Sequence, residues 1–127
     1  MSDRMELIHV NLNVADVDRA VKFYTEQLGF EETWGFEASD GQTVHRYVAA
    51  DNGTEIQLSE TQGETSFEEG TAWDHVAFLV DDVDAAFESI ENHGVVKEPA
   101  DQPEAGARTA FIRDPDGHKI ELVESLD

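Results

Sequence analysis

Two stretches of the chain carry one pattern of apolar and polar positions. Ile8, Val10, Leu12 and Val14 alternate with His9, Asn11 and Asn13, the period of a strand buried on one face. Asp16 follows at the position of a helix N-cap. Val17, Ala20, Val21, Tyr24 and Leu28 then recur at helical spacing until Gly29, which stops the helix. Sixty-six residues on, the pattern returns. Val76, Phe78 and Val80 form a strand's apolar face, Asp82 caps, Val83, Ala86, Phe87 and Ile90 line a helix, and Gly94 ends it.

The copies match position by position. His9 pairs with His75, Val14 with Val80, Asp16 with Asp82, Val17 with Val83 and Ala20 with Ala86. Later, DNGTEIQLSE (51–60) pairs with PDGHKIELVE (115–124), aligning Gly53 with Gly117, Ile56 with Ile120, Gln57 with Glu121 and Leu58 with Leu122. Turn signals at Asn52-Gly53 and at 114–117 join the last two strands of each copy. The pattern predicts an α+β domain over 1–127 built of two tandem βαβββ modules, 5–60 and 72–125. The Glu-, Thr- and Gly-rich segment 59–74 is expected to link them.

Strand phase exposes the candidate chemistry. In the first strand of each module the apolar face must lie under the helix, so His9 and His75 project from the opposite face. In the last strands, Ile56 and Leu58 oppose Gln57, and Ile120 and Leu122 oppose Glu121. If the two sheets curl into one trough, with helices outside, His9, Gln57, His75 and Glu121 converge. Two imidazoles, a carboxylate and an amide oxygen suit an intermediate first-row divalent ion: Mn, Fe, Co, Ni or Zn.

Composition limits the partners. Twenty-nine Asp and Glu face eight Lys and Arg, a formal net charge of −21. Such a surface repels nucleic acid and anionic membranes. With only three lysines and acids spread throughout, the charge predicts a halophilic habitat, where salt screens self-repulsion within a few ångströms. No apolar run approaches a membrane span, the first residues lack a secretory signal, and cysteine is absent. A cytoplasmic location is expected, with a small molecule as substrate.

IHVNLNVADVDRAVKFYTEQLGF, WDHVAFLVDDVDAA and FIRDPDGHKIELVE together resemble the vicinal oxygen chelate superfamily, glyoxalase I-type proteins above all. The likeness spans roughly residues 5–125, and RDPDGHKIELVE is its most specific part. It implies paired βαβββ modules around a metal, a homodimer completing the site, and ligands at His9, Gln57, His75 and Glu121. It also implies a lyase or isomerase removing a proton α to a carbonyl in a thiol adduct of a 2-oxoaldehyde, through an enediolate held on the metal. Glu121 is then the proton shuttle, because an amide such as Gln57 has no useful basicity.

The chain departs from the glyoxalase I pattern in two ways. The second ligand is Gln57 rather than glutamate, which is similar to methylmalonyl-CoA epimerase. Asn13 and Thr61 stand at substrate positions where glyoxalase I carries an arginine and an asparagine that hold glutathione. Three other readings stay open. Two histidines and a carboxylate match an extradiol dioxygenase, with His45, Tyr47 and His118 as further bases. A thiol transferase acting on a phosphonate would need Arg46, Arg108 or Arg113. A metal-free ligand-binding or resistance module would use aromatics such as Trp34, Phe36, Phe67 and Trp73, near loops expected at 31–42 and 59–74.

Overall fold

A computed structural model describes residues 4–127. The chain divides at Ser66/Phe67 into two units, each with a four-stranded sheet. The first contains β1 (His9–Asn13), helix α1 (Val17–Lys22) continuing as a π-helical turn (Phe23–Gln27), β2 (Glu31–Glu37), β3 (Thr43–Ala49) and β4 (Glu55–Thr61). The second contains β5 (Val76–Leu79), α2 (Val83–Ser89), β6 (Val95–Gln102), a 3₁₀ turn (Pro103–Ala105), β7 (Ala107–Arg113) and β8 (Lys119–Ser125). Strand orders are β1-β4-β3-β2 and β5-β8-β7-β6. In each, the first and last strands run parallel and the other neighbours antiparallel.

The expected parity holds. Leu12, Val14, Ile56 and Leu58 are buried with Val17, Ala20, Val21 and Tyr24 of the α1 segment, which packs on β3 and β4. Ile112, Ile120 and Leu122 are buried with Val83 and Ile90, at or beside α2, which packs on β6, β7 and β8. Both turns joining the last two strands place a glycine at positive φ, Gly53 at 87° and Gly117 at 88°. In the second turn, the buried Asp114 accepts hydrogen bonds from the backbone of Asp116 and His118, both 2.9 Å.

Each helix start is held twice, in the same way. Asp16 accepts from the Arg19 amide at 3.1 Å, and Asp82 from the Ala85 amide at 3.0 Å. A second carboxylate arrives from the last strand. Glu60 takes the Val17 amide at 2.7 Å, and Glu124 takes the Val83 amide at 2.8 Å. Beside them, the Val14 and Val80 amides donate to the carbonyls of Ser59 and Val123. Two carboxylates thus satisfy donors that helix geometry leaves orphaned, at the positive end of the helix.

Three expectations need correction. Gly94 does not end the second helix: α2 stops at Ser89, and Ile90 is already extended at φ −76°, ψ 127°. Gly94 instead accepts from the Arg113 amide at 2.8 Å while His93 donates to the Arg113 carbonyl, so 93–94 is drawn into pairing with β7. Gly29, at φ 76°, does follow the first helix, which the π turn lengthens, and the Phe30 amide reaches back to the Tyr24 carbonyl. The segment expected to link the modules from residue 59 begins later, because β4 pairs with β3 as far as Thr61. Residues 31–37, expected within a loop, form β2, zipped to β3.

Glu60→Ala or Glu124→Ala is expected to lower stability by about 1–3 kcal/mol in urea unfolding, since each strips a charged acceptor from a part-buried amide. Equal midpoints for variant and wild type would show that the N-cap aspartates suffice.

Candidate metal centre

The four predicted ligands are divided between the units, His9 and Gln57 in one, His75 and Glu121 in the other. In the second unit the fold brings its pair together. Glu121 sits on β8 opposite Ala77, and His75 lies just before β5 on the same face. His75 Nε2 is 2.9 Å from Glu121 Oε1, although 46 residues separate them in sequence. Their side chains keep 29% and 19% of their exposure, enough for a ligand to reach them. Phe111 meets the His75 ring edge-on at 5.2 Å.

The other imidazole nitrogen is taken. His75 Nδ1 lies 2.6 Å from Asp74 Oδ1, which also receives Lys119 Nζ at 3.0 Å. The hydrogen bond from His75, and next that from Lys119, holds the Asp74 carboxyl below its usual range. A proton on Nδ1 directed at a carboxylate leaves Nε2 of a neutral ring with a bare lone pair, facing an anionic oxygen at 2.9 Å. Two acceptors at that distance repel unless a proton or a cation lies between them. A histidine whose far nitrogen is fixed by a carboxylate is also the usual arrangement of an imidazole metal ligand. The donor set therefore fits a divalent cation.

The first unit is arranged differently. His9 opens β1, and its ring meets Tyr47 edge-on at 5.5 Å. Gln57 on β4 stands opposite Asn11 of β1 and Tyr47 of β3, on the face that carries His9. Its amide nitrogen is held by His45 Nδ1 at 3.0 Å. The same Nδ1 lies 2.7 Å from Ser59 Oγ, and Ser59 donates to Asn11 Oδ1 at 2.7 Å. Asn13 ends β1, exposed, and Thr61 ends β4 with its hydroxyl 3.1 Å from that of Thr43. Neither position offers a cation.

Beside this network is an aromatic ledge. Trp34 stacks on Tyr47 with centroids 4.2 Å apart and on Phe36 at 5.5 Å, while Phe36 lies 4.6 Å from the His45 ring. Tyr47 is 4% exposed, Trp34 51% and Phe36 43%. Burial, and less so Glu55, pushes the Tyr47 phenol above its ordinary pKa. Close approach of β2 makes the stack possible: a Cβ on Gly35 would stand 2.6 Å from the His45 carbonyl oxygen. Phe67 stacks at 6.5 Å on His118 in the second unit, and Trp73 is exposed.

The three arginines considered for a phosphonate are committed to carboxylates. Arg46 binds Glu32 and Asp18, Arg108 binds Asp84 and Asp101, and Arg113 binds Glu69 and the Gly117 carbonyl. Among the described residues, the one group of three acidic or histidine side chains close enough to share an ion is Asp82, Asp84 and Glu124. Its members already serve the α2 cap and Arg108. Asp74 escaped the sequence reading, and His45, considered there only as a base, was not expected beside Gln57. Asp74 was available as the residue preceding His75. His45 shares β3's parity with Tyr47, but only the β3–β4 register puts it beside Gln57. No helix among the described residues is long and apolar enough to cross a membrane.

Known proteins are similar to this chain in sequence and fold. A lactoylglutathione lyase of Escherichia coli O157:H7 is 37% identical over 128 residues, covering 97% of this chain and 95% of that protein. One from Haemophilus influenzae is 33% identical, covering 95% and 93%. The solved structure of a trypanothione-dependent glyoxalase I from Leishmania major superposes with a TM-score of 0.78 at 29% identity, over 95% of this chain and 87% of that one. The profile of one family matches residues 6–122, and the chain belongs to it: the Glyoxalase/Bleomycin resistance protein/Dioxygenase superfamily.

Proposed function

We propose that the chain is a metal-dependent glyoxalase I-like lyase, acting on the thiol adduct of a 2-oxoaldehyde, with His9, Gln57, His75 and Glu121 as ligands in a homodimer. The observation that carries this reading is the His75–Glu121 pair with Asp74 fixing the far imidazole nitrogen. The lactoylglutathione lyases at 33–37% identity over nearly the whole chain supply the reaction class. A bound divalent cation would supply positive charge where a substrate oxygen becomes negative.

The chain's own residues supply the rest. Glu121 is the single carboxylate of the set, so it takes the proton from carbon and returns it to the neighbouring carbon. His75 stays in place because Asp74 and Lys119 restrain it. Gln57 donates an oxygen without adding charge or basicity. The Trp34–Phe36 ledge offers an apolar surface for the part of the substrate that does not react. Asn13 and Thr61 mark the expected place of the thiol carrier. With no arginine there, a carrier held by its carboxylates, as glutathione would be, loses its charge-assisted grip. The trypanothione dependence of the Leishmania relative means that a related protein uses a carrier other than glutathione, whereas the lactoylglutathione lyases are named for glutathione.

Gln57 favours one second reading, an epimerase of methylmalonyl-CoA type, which needs the same proton abstraction. The two are separated by direct assay of each substrate.

Chelator-stripped protein dialysed against Ni²⁺, Mn²⁺ or Zn²⁺ is expected to bind about one equivalent per chain, lost in His75→Ala. No stoichiometric metal would favour a ligand-sequestering module instead. Glu121→Gln is expected to retain metal, more weakly, while turnover falls by about 10²–10⁴-fold; full activity in that variant would remove Glu121 as the base. Hemithioacetals of methylglyoxal with several low-molecular-weight thiols should show a higher kcat/KM for a carrier other than glutathione. A clear preference for glutathione would mean that residues other than Asn13 and Thr61 hold it.

A further inference from the structure

The stretch RDPDGHK runs up to Glu121 in sequence, yet none of its side chains is a candidate ligand. Three of them hold one segment, residues 67–74, which leads into His75. The His118 ring stacks on Phe67 at 6.5 Å, Arg113 binds Glu69 at 3.2 Å, and Lys119 binds Asp74 at 3.0 Å. Arg113 and Lys119 are paired directly across β7 and β8, so the two cations share a face, and each meets a carboxylate of the same segment. The last of these carboxylates, Asp74, then reaches His75 Nδ1 at 2.6 Å.

Asp74 has little to keep it there by itself. Successive side chains of an extended chain point apart; Asp74 and His75 meet because both precede β5, which begins at Val76. The Asp74 side chain is 72% exposed, and an exposed ion pair between mobile groups is worth little. Lys119 changes this. Its side chain is only 23% exposed, its Nζ lies 5.9 Å from the centre of the Phe111 ring, and Phe111 meets the His75 ring edge-on. His75, Asp74, Lys119 and Phe111 thus close a ring of contacts. Lys119 can only donate, and the oxygen it binds, Oδ1, is the one that faces His75. A carboxylate oxygen can only accept, so Nδ1 carries a proton whether or not Nε2 does. Turning the imidazole over would set carbon atoms against both Asp74 and Glu121, so one orientation alone serves both contacts.

We infer that Lys119 is a positioning residue: by clamping Asp74 Oδ1 it holds the Nδ1 side of His75 and so keeps Nε2 toward Glu121, the side offered to a cation. The consequence for metal binding rests on the reading of His75 as a ligand. Simple electrostatics points the other way. Lys119 stands one carboxylate oxygen away from the His75 ring, and a fixed positive charge there disfavours a divalent ion. A lysine acting by charge alone would weaken the site, whereas one acting through Asp74 strengthens it. The first unit carries Glu55 at the equivalent position, two before Gln57, and so has no such cation.

Zn²⁺, read by competition with a chelator, is the probe. Lys119→Met keeps an unbranched stem against Phe111 without the charge, and is expected to weaken Zn²⁺ binding by about tenfold; charge alone predicts tighter binding. Lys119→Arg restores a cationic donor and should recover most of the loss. In an Asp74→Ala background, Lys119→Met should no longer weaken binding, because the residue through which the lysine acts is gone. In metal-free wild-type protein, the His75 Nδ1 proton should be visible and slow to exchange by ¹⁵N-edited NMR, and lost to exchange with water in Lys119→Met. Equal or tighter Zn²⁺ binding in Lys119→Met, no recovery in Lys119→Arg, an equal loss with Asp74 absent, or an unaltered Nδ1 proton would each overturn the inference. Failure of the metal reading looks different. Wild-type protein then binds no Zn²⁺ that His75→Ala abolishes, while the Nδ1 proton of metal-free protein still decides whether Lys119 clamps Asp74.

Discussion

A four-stranded sheet with one helix buries one of its two faces, and each unit of this chain is built around that limit. Alternation along a strand then sorts every residue. Leu12, Ile56 and Leu58 go under the α1 segment, and Ile120 and Leu122 go under α2, while His9, Asn11, Gln57 and Glu121 are left on the opposite side. The crossover helix adds a second consequence. It lays the last strand of each unit parallel to the first, so groups from the two ends of the unit become neighbours. His75 and Glu121 meet for that reason.

The same parallel pairing anchors the helices. Because β4 and β8 end beside the start of their unit's helix, Glu60 and Glu124 can reach the first helical amides. Helix placement and site placement therefore depend on one register. A one-residue slip of β8 would move Glu121 to the buried face and take Glu124 away from Val83. That coupling explains why a carboxylate stands three positions after each last-strand candidate ligand, in QLSE and ELVE alike.

The duplicated units have diverged where chemistry demands it. Unit two presents an imidazole braced by a carboxylate against a second carboxylate. Unit one presents an imidazole beside an amide whose own partner is another imidazole, and adds no charge. Aromatic area is also uneven, with Trp34, Phe36 and Tyr47 stacked in unit one. Acidity of the whole chain has a local counterpart: Arg46 and Arg108 each bind two carboxylates, so no free guanidinium is left among these to hold an anionic substrate.

Sequence alone determined the strand phases, both N-caps, the two glycine turns and the face on which each candidate ligand stands. All of these follow from periods of two and 3.6 and from local backbone chemistry, which act over a few residues. It misplaced the end of the second helix, since pairing of His93 and Gly94 with Arg113 is a contact across 19 or 20 residues that no local pattern reveals. It also assigned 31–37 to a loop, because β2 is an exposed edge strand whose identity comes from pairing with β3 rather than from alternation. Only the tertiary structure decided which second residues contact the candidate ligands. Asp74 turns His75, and His45 holds Gln57, because strand register sets distances between side chains that periodicity leaves undefined.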